Sequence, residues 1–81
     1  MRIKVQFFSQ LKEIVGAGEI SIDLAEGASV ADLLEQLYLR YPGLRTWDRN
    51  LLNGAGVEFV DRNYIIQPSD EIAIMPPVQG G

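Results

Sequence analysis

One stretch of this chain has the apolar spacing of a long helix, and segments of alternating polarity lie on both sides of it. Apolar side chains recur there at intervals of three and four residues, at Val30, Leu33, Leu34, Leu37 and Tyr41. Ser29 lies three residues before Asp32, a spacing typical of a capping box at a helix start. Pro42 predicts that the helix ends near Arg40 or Tyr41. Because such a helix has one apolar face, it must be buried against another layer.

The alternating segments supply that second layer as a sheet. Residues 2–8, 19–24 and 71–75 alternate apolar and polar side chains in the way of half-buried strands. Residues 57–60 form a fourth and shorter strand candidate. The expected chain order is therefore two strands, one main helix and two strands (ββαββ), with short extra helical turns. A mixed sheet packed on one main helix in this order is a two-layer α+β domain, and it fits the β-grasp arrangement.

The connections are less regular than the strands. Leu11, Ile14 and Val15 are spaced for a short helical turn, which we expect Ser9 to cap and Gly16 or Gly18 to end. Residues 44–56 are interpreted as a loop anchored by Trp47, in which Leu51 and Leu52 could begin a strand. The glycines at 54 and 56 would weaken any strand in that region, so the register of the middle strand is left open.

Composition excludes several kinds of chemistry. The chain has 81 residues, no cysteine and no histidine, so it lacks a thiol nucleophile, a zinc knuckle and the usual general base. The net charge of −4 disfavours a nucleic-acid backbone as partner and favours a basic protein surface. No apolar run is long enough to span a membrane, and no signal peptide is recognisable, so the expected compartment is the cytoplasm.

The polar side chains form no recognisable catalytic or metal site. Asp70 and Glu71 are neighbours on an expected strand and should point to opposite faces, so they cannot flank one substrate. The remaining carboxylates are scattered, whereas a metal site requires several oxygen ligands that converge. The stretch Gly54-Ala55-Gly56 lacks the further glycine and the strand–helix context of a nucleotide-binding loop. We therefore expect no catalytic side chains, no bound cofactor and no metal.

The remaining candidate for chemistry is the main chain at Gly80-Gly81. We expect residues 1–75 to form the folded domain and residues 76–81 to form a flexible tail, stiffened at its start by Pro76 and Pro77. The tail would reach at most about 20 Å when extended, and glycine would allow it to enter a narrow pocket. The carboxylate of Gly81 is ionised at neutral pH and must be activated by another enzyme, for example as an acyl-adenylate, before it can accept sulfur or an amine.

Both ends of the chain resemble a known family. The opening RIKVQFFSQLKEIVG and the ending DEIAIMPPVQGG are similar to those of the small, sulfur-carrier subunit of molybdopterin synthase. The resemblance covers the whole length, and its most specific part is the closing PPVQGG. The chain departs from the family pattern at Pro68-Ser69-Asp70, which keeps only the last residue of the usual Asp-Gly-Asp turn. It departs again at residues 53–56, where relatives usually have an apolar strand followed by a turn.

The resemblance implies a ubiquitin-like β-grasp fold and a non-catalytic carrier. Gly81 would be adenylated by an ATP-using enzyme related to ubiquitin-activating enzymes, and a sulfur donor enzyme would then convert it to a thiocarboxylate. The tail (Pro76, Pro77, Val78, Gln79, Gly80) would insert into the large catalytic subunit. There the sulfur would be delivered to cyclic pyranopterin monophosphate to make molybdopterin, within a heterotetramer of two small and two large chains.

The alternation of the last strand predicts a surface for that partner. If Ile72 and Ile74 face the helix, Ala73 and Met75 face outward beside the tail. We hypothesise that Phe8, Met75 and Val78 form an apolar docking patch, and a second small core under the loops is an equal alternative. Three further functions stay open, namely a sulfur carrier for thiamine, cysteine or tRNA thiolation, a ubiquitin-like modifier attached to lysines, and a β-grasp binding module whose tail is passive.

Overall fold

A computed structural model describes residues 1–77, and it has a mixed sheet covered on one face by a helix. The described residues form five strands, two α-helices and one 3₁₀ helix. In chain order these are β1 (Arg2–Phe7), α1 (Gln10–Val15), β2 (Glu19–Asp23), α2 (Val30–Arg40), the 3₁₀ helix (Pro42–Asn50), β3 (Leu52–Ala55), β4 (Glu58–Val60) and β5 (Glu71–Met75). The strand order in the sheet is β2-β1-β5-β3-β4. Strand β5 is parallel to β1 and antiparallel to β3, so it lies at the centre of the sheet.

The core lies between α2 and one face of the sheet. The apolar stripe of α2 is buried there together with Ile3 and Val5 of β1 and with Ile72 and Ile74 of β5. The amphipathic pattern of the sequence therefore predicts both the helix and the face that it buries, and the α+β, ubiquitin-like β-grasp architecture is confirmed.

The start of α2 is capped as the sequence predicts, and the helix ends at Arg40, also as predicted. The Ser29 hydroxyl accepts a hydrogen bond from the Asp32 backbone N–H at 3.2 Å, and the Asp32 carboxylate accepts one from the Ser29 N–H at 2.9 Å. The next two N–H groups of the helix, those of Val30 and Ala31, donate to carbonyl oxygens in the loop before β5. These contacts satisfy donors that a helix start leaves without partners, and they fix the loop against α2.

Three local predictions were wrong. The stretch around Trp47 is not a loop, because Pro42 begins a 3₁₀ helix that runs to Asn50 and buries Leu44 in the core. The strand that Leu51 and Leu52 could begin does form, as β3 from Leu52, so three strands and not the expected two come after α2. The glycine in β3 is tolerated because the strand lies between β5 and β4 and is hydrogen-bonded to both.

The third wrong prediction is the cap at Ser9. Helix α1 exists and ends at Gly16 with the left-handed conformation expected of a C-terminal glycine, at φ 86°. Ser9, however, makes no side-chain capping hydrogen bond. Its φ of 53° is far from the extended backbone that a capping serine adopts.

Candidate functional site

The tail begins at the end of the central strand. Leu52 of β3 pairs with Met75, and Phe7 of β1 pairs with Ile74, so β5 is held on both sides until its last residues. Pro76 and Pro77 follow, and because proline has no N–H the ladder cannot continue through them. The predicted tail residues Val78, Gln79, Gly80 and Gly81 lie outside the described residues. The structure thus places the start of the tail, Pro76 and Pro77, at the end of the central strand.

The outer face of the sheet, which is the face opposite α2, has a polar half formed by β2 and β1. Arg2 and Asp23 form an exposed ion pair at 3.2 Å, and the Gln6 amide donates to the Glu19 carboxylate at 3.4 Å. The Arg2 guanidinium lowers the pKa of Asp23, first by hydrogen bonding and then by its charge. Such exposed pairs contribute little to stability, and they keep this half of the face hydrated.

The other half of the outer face, formed by β5, β3 and β4, carries Glu71 at the start of β5. The rest of it is apolar and consists of Leu52, Gly54, Phe59, Ala73 and Met75, which we call the apolar half. Gly54 pairs with both Ala73 and Phe59, and the two small residues leave a hollow of about 270 Å³ that Phe59 and Met75 border. Phe59 is 72% exposed to solvent. A large apolar side chain left uncovered beside other apolar groups is typical of a surface that binds a partner.

A second depression lies at the root of the tail. Residues 8–10, Trp47 and residues 75–77 border this groove of about 420 Å³, which we call the tail-root groove. Trp47 is half-buried and belongs to the 3₁₀ helix. The sequence did not predict that this segment lies near the tail. The groove therefore joins three separate segments at the point where the tail leaves the domain.

A polar cluster fixes the 3₁₀ helix that carries Trp47. The Tyr38 hydroxyl of α2 and the Arg62 guanidinium both donate to the Asp48 carboxylate, and Arg62 also donates to the Asp48 carbonyl oxygen. Burial, followed by the hydrogen bond to Asp48, raises the pKa of Tyr38 to about 12. The hydrogen bonds from Tyr38 and Arg62 lower the pKa of Asp48. The charged partners stay paired at neutral pH and hold the helix against α2.

The structure brings together Phe8 and Met75, two of the three docking residues hypothesised from sequence, and the third, Val78, lies outside the described residues. Both border the hollow of the apolar half and the tail-root groove, and neither belongs to the buried core cluster. That Phe8 and Met75 bind a partner stays a prediction. Ile72 and Ile74 face the helix and Ala73 and Met75 face outward, as predicted.

Sequence reasoning missed part of this surface. Phe59, Leu52 and Gly54 were not recognised because the register of the middle strand was left open. The sequence carries no signal that places Phe59 on the outer face, because a three-residue strand with one polar and one apolar neighbour, Glu58 and Val60, does not show which face is buried. Trp47 carries no such signal either, because its position depends on how the 3₁₀ helix packs.

The carboxylates form no shared site within residues 1–77. Asp70 accepts hydrogen bonds from the Tyr64 hydroxyl at 2.7 Å and from the Gln67 N–H at 2.8 Å, so it serves the turn before β5. The bond to Asp70 raises the pKa of Tyr64. In the same part of the chain no three acidic side chains come together as metal ligands. No helix in it is both long and apolar enough to cross a membrane.

Comparison with known proteins agrees with this geometry. The model of the ThiS family matches residues 5–81. A molybdopterin synthase sulfur carrier subunit of Chlamydomonas reinhardtii is 32% identical, with 100% of both chains covered. The human protein of that name is 29% identical over 99% of this chain and 94% of its own length.

Solved structures show the same fold. Small archaeal modifier protein 1 of Methanosarcina acetivorans superposes with a TM-score of 0.81 at 26% identity, covering 99% of this chain and 96% of that one. In a complex of subunits 1 and 2 of the molybdopterin-converting factor of Helicobacter pylori, the matching chain has a TM-score of 0.71 at 24% identity, with 100% of both chains covered.

A β-grasp domain whose central strand leads into a Gly-Gly tail, beside an exposed apolar surface, defines the class of ubiquitin-like proteins. The family match covers nearly the whole chain. The chain belongs to the ThiS family, and the resemblance found in its sequence is confirmed.

Proposed function

We propose that this chain is the sulfur carrier subunit of molybdopterin synthase. The observation that carries the proposal is the position of the tail, which leaves the central strand beside the apolar half of the outer face. One partner can therefore cover the apolar half and receive the tail at the same time. The names of the full-length relatives support the same role.

The working group in this proposal is the carboxylate of Gly81. A ubiquitin-activating-like enzyme uses ATP to form the acyl-adenylate of Gly81 and releases pyrophosphate. A sulfur donor enzyme then supplies sulfur at the sulfide level, so that a C–S bond forms and AMP leaves. Delivery of that sulfur to cyclic pyranopterin monophosphate returns the carboxylate, with water supplying the oxygen, and two such deliveries supply the two sulfur atoms of the molybdopterin dithiolene. This chain would hold no cofactor, and the catalytic side chains would belong to the large subunit.

Side chains of this protein would contribute binding rather than catalysis. Phe8 and Met75 border both the hollow of the apolar half and the tail-root groove. Phe59 is the most exposed apolar side chain of the outer face, and the same partner would contact it. Pro76 and Pro77 restrict the backbone at the start of the tail. Val78, Gln79 and Gly80 would occupy the entrance of the partner's active site, where small and narrow residues fit best.

The test is the intact mass after coexpression with the adenylating enzyme and the sulfur donor. We expect the mass change of an oxygen-to-sulfur exchange, and no change in a variant that lacks Gly81. Addition of the large subunit and cyclic pyranopterin monophosphate should then produce molybdopterin and restore the original mass. An unchanged mass under all conditions would contradict the proposal.

A second candidate is a ubiquitin-like modifier, favoured by the likeness to the archaeal modifier protein. In that case Gly81 would form an amide with lysines of other proteins, and digestion would leave Gly-Gly remnants on those lysines. A carrier for thiamine, cysteine or tRNA thiolation would form the same thiocarboxylate but would fail to make molybdopterin in the reconstituted reaction.

A further inference from the structure

The hairpin formed by β3 and β4 adds almost nothing to the apolar core. Within residues 1–77, none of the buried apolar side chains belongs to β3 or β4, and Ala55 and Val60 are only partly buried against the core. The other two apolar side chains at the end of the hairpin, Val57 and Phe59, are exposed. Because burial of apolar surface is the main force that holds an element in place, the hairpin is held mainly by its backbone pairing with β5.

The buried side chain that the hairpin does have is polar and lacks a partner. Asn53 pairs with Ile74 of β5 and Val60 of β4, lies on the inner face with them, and is only 6% exposed. Its Oδ1 atom is buried and accepts no hydrogen bond from any residue that the structure describes. A buried acceptor without a partner has lost its water without compensation, whereas detachment of the strand would return the amide to water. Asn53 therefore favours a detached state of the hairpin.

The backbone of the hairpin is also weakly held. Asn53, Gly54 and Ala55 are residue types that are depleted in strands. Strand β4 has three residues and lies at the edge of the sheet, so in the described part of the chain only β3 pairs with it. One hydrogen bond beyond the ladder anchors the turn, from the Gly56 N–H to the Glu71 carbonyl oxygen at 3.0 Å. Elements with few buried apolar contacts and exposed backbone hydrogen bonds are those that open locally.

The chain on both sides of the hairpin is firmly held. Leu51 is buried in the core at the end of the 3₁₀ helix, and the Arg62 guanidinium is paired with the Asp48 carboxylate at 2.9 Å. Residues 52–60 can therefore leave β5 without moving the 3₁₀ helix or α2. The part that stays behind keeps every buried apolar side chain of residues 1–77.

We propose that the β3–β4 hairpin is a locally opening unit, which detaches from β5 while the rest of the domain stays folded, and that the unpaired Asn53 amide favours the detached state. Detachment removes Gly54 and Phe59 from the apolar half and uncovers the edge of β5 beside the start of the tail. A protein that covers the apolar half can bind only the attached state, so the hairpin controls whether this surface exists. The inference concerns the domain alone and holds whichever protein receives the tail.

Amide hydrogen exchange of the full chain, followed by NMR, tests the inference with the amides of β1 as the internal reference. We expect the hydrogen-bonded amides of residues 52–60 to be protected at least about tenfold less than those of β1, because they exchange through the local opening. Ser29→Ala weakens the capping box of α2 and should lower the protection of β1 about fivefold. The same variant should leave the protection of residues 52–60 unchanged, because α2 stays folded when the hairpin detaches.

Substitution of Asn53 tests what favours the detached state. Asn53→Val removes the unpaired acceptor and should raise the protection of residues 52–60 by about 5–100-fold. Asn63→Val, at an exposed asparagine outside the hairpin, is the matched control and should leave that protection unchanged.

Two results would overturn the inference. Equal protection of residues 52–60 and β1, or a fivefold loss in both with Ser29→Ala, would show that the hairpin opens only when the whole domain unfolds. Unchanged or lower protection of residues 52–60 in Asn53→Val would show that the Asn53 amide does not favour detachment. Either result would leave the proposed function intact, because that function depends on the tail.

Discussion

Phe59 offers the sharpest test of the apolar half as a docking surface. Its side chain is 72% exposed, so truncation removes little packing from the folded protein and should change stability by less than about 0.5 kcal/mol. Full burial of a phenylalanine side chain contributes about 1.5–3 kcal/mol. A partner that covers the exposed three quarters would gain about 1–2 kcal/mol, so Phe59→Ala should raise the Kd for the large subunit by about 5–30-fold.

Leu39 provides the matched control for this experiment. It is 80% exposed, but it lies on α2, which covers the opposite face of the sheet. Leu39→Ala therefore removes a similarly exposed apolar side chain and should leave the Kd unchanged. Both values can be measured by titration calorimetry against the large subunit. Wild-type affinity in Phe59→Ala, or an equal loss in both variants, would refute the assignment of the apolar half as the docking surface.

Three further outcomes follow from the same structure. Met75→Asp places a charge between the hollow and the tail-root groove and should weaken binding of the large subunit more than tenfold, measured in the same assay. Ser29→Ala removes one half of the capping box of α2, a loss of about 1 kcal/mol, and should lower the melting temperature by roughly 4–8 °C. Tyr38→Phe removes a hydrogen bond to Asp48 and should lower the melting temperature by several degrees. Because the folded protein has the lower Asp48 pKa, the stability that depends on this carboxylate is present above its ordinary pKa and is lost as the pH falls through the folded value. Acid titration by circular dichroism should therefore show a smaller acid-induced loss in Tyr38→Phe than in the wild type, and an equal loss would contradict the role of Asp48.

The parts of the fold that sequence predicts are those set by local pattern. The stripe on α2 and the alternation in β1, β2 and β5 determine which side chains face the core, because a shift of one residue would expose each apolar set. The capping box of Ser29 and Asp32 is equally local, and it is present in the structure. Met75 could be assigned to the outer face for the same reason.

The parts that sequence does not predict depend on distant contacts. Strand β3 contains Asn53 and Gly54, which are poor strand formers, and it is extended because β5 and β4 hydrogen-bond to it from both sides. The 3₁₀ helix is fixed by the pairing of Asp48 with Arg62, fourteen residues further along the chain. Trp47 reaches the tail-root groove only through that packing. Half of the candidate site therefore follows from pattern, and half follows from tertiary structure.

The central position of β5 has a further consequence for the proposed cycle. The adenylating enzyme and the large subunit must both reach the same carboxylate, and the four residues after Pro77 allow each of them at most about 14 Å. Each must therefore bring its surface to within that distance of Pro77, at the border of the tail-root groove, so the two cannot bind one carrier at the same time. Exchange between them requires that each complex dissociates. A surface made of a few apolar side chains, such as the exposed Phe8 and Phe59 beside the half-buried Met75, suits this better than an extensive interface, because affinity that is concentrated in few contacts can be matched between successive partners.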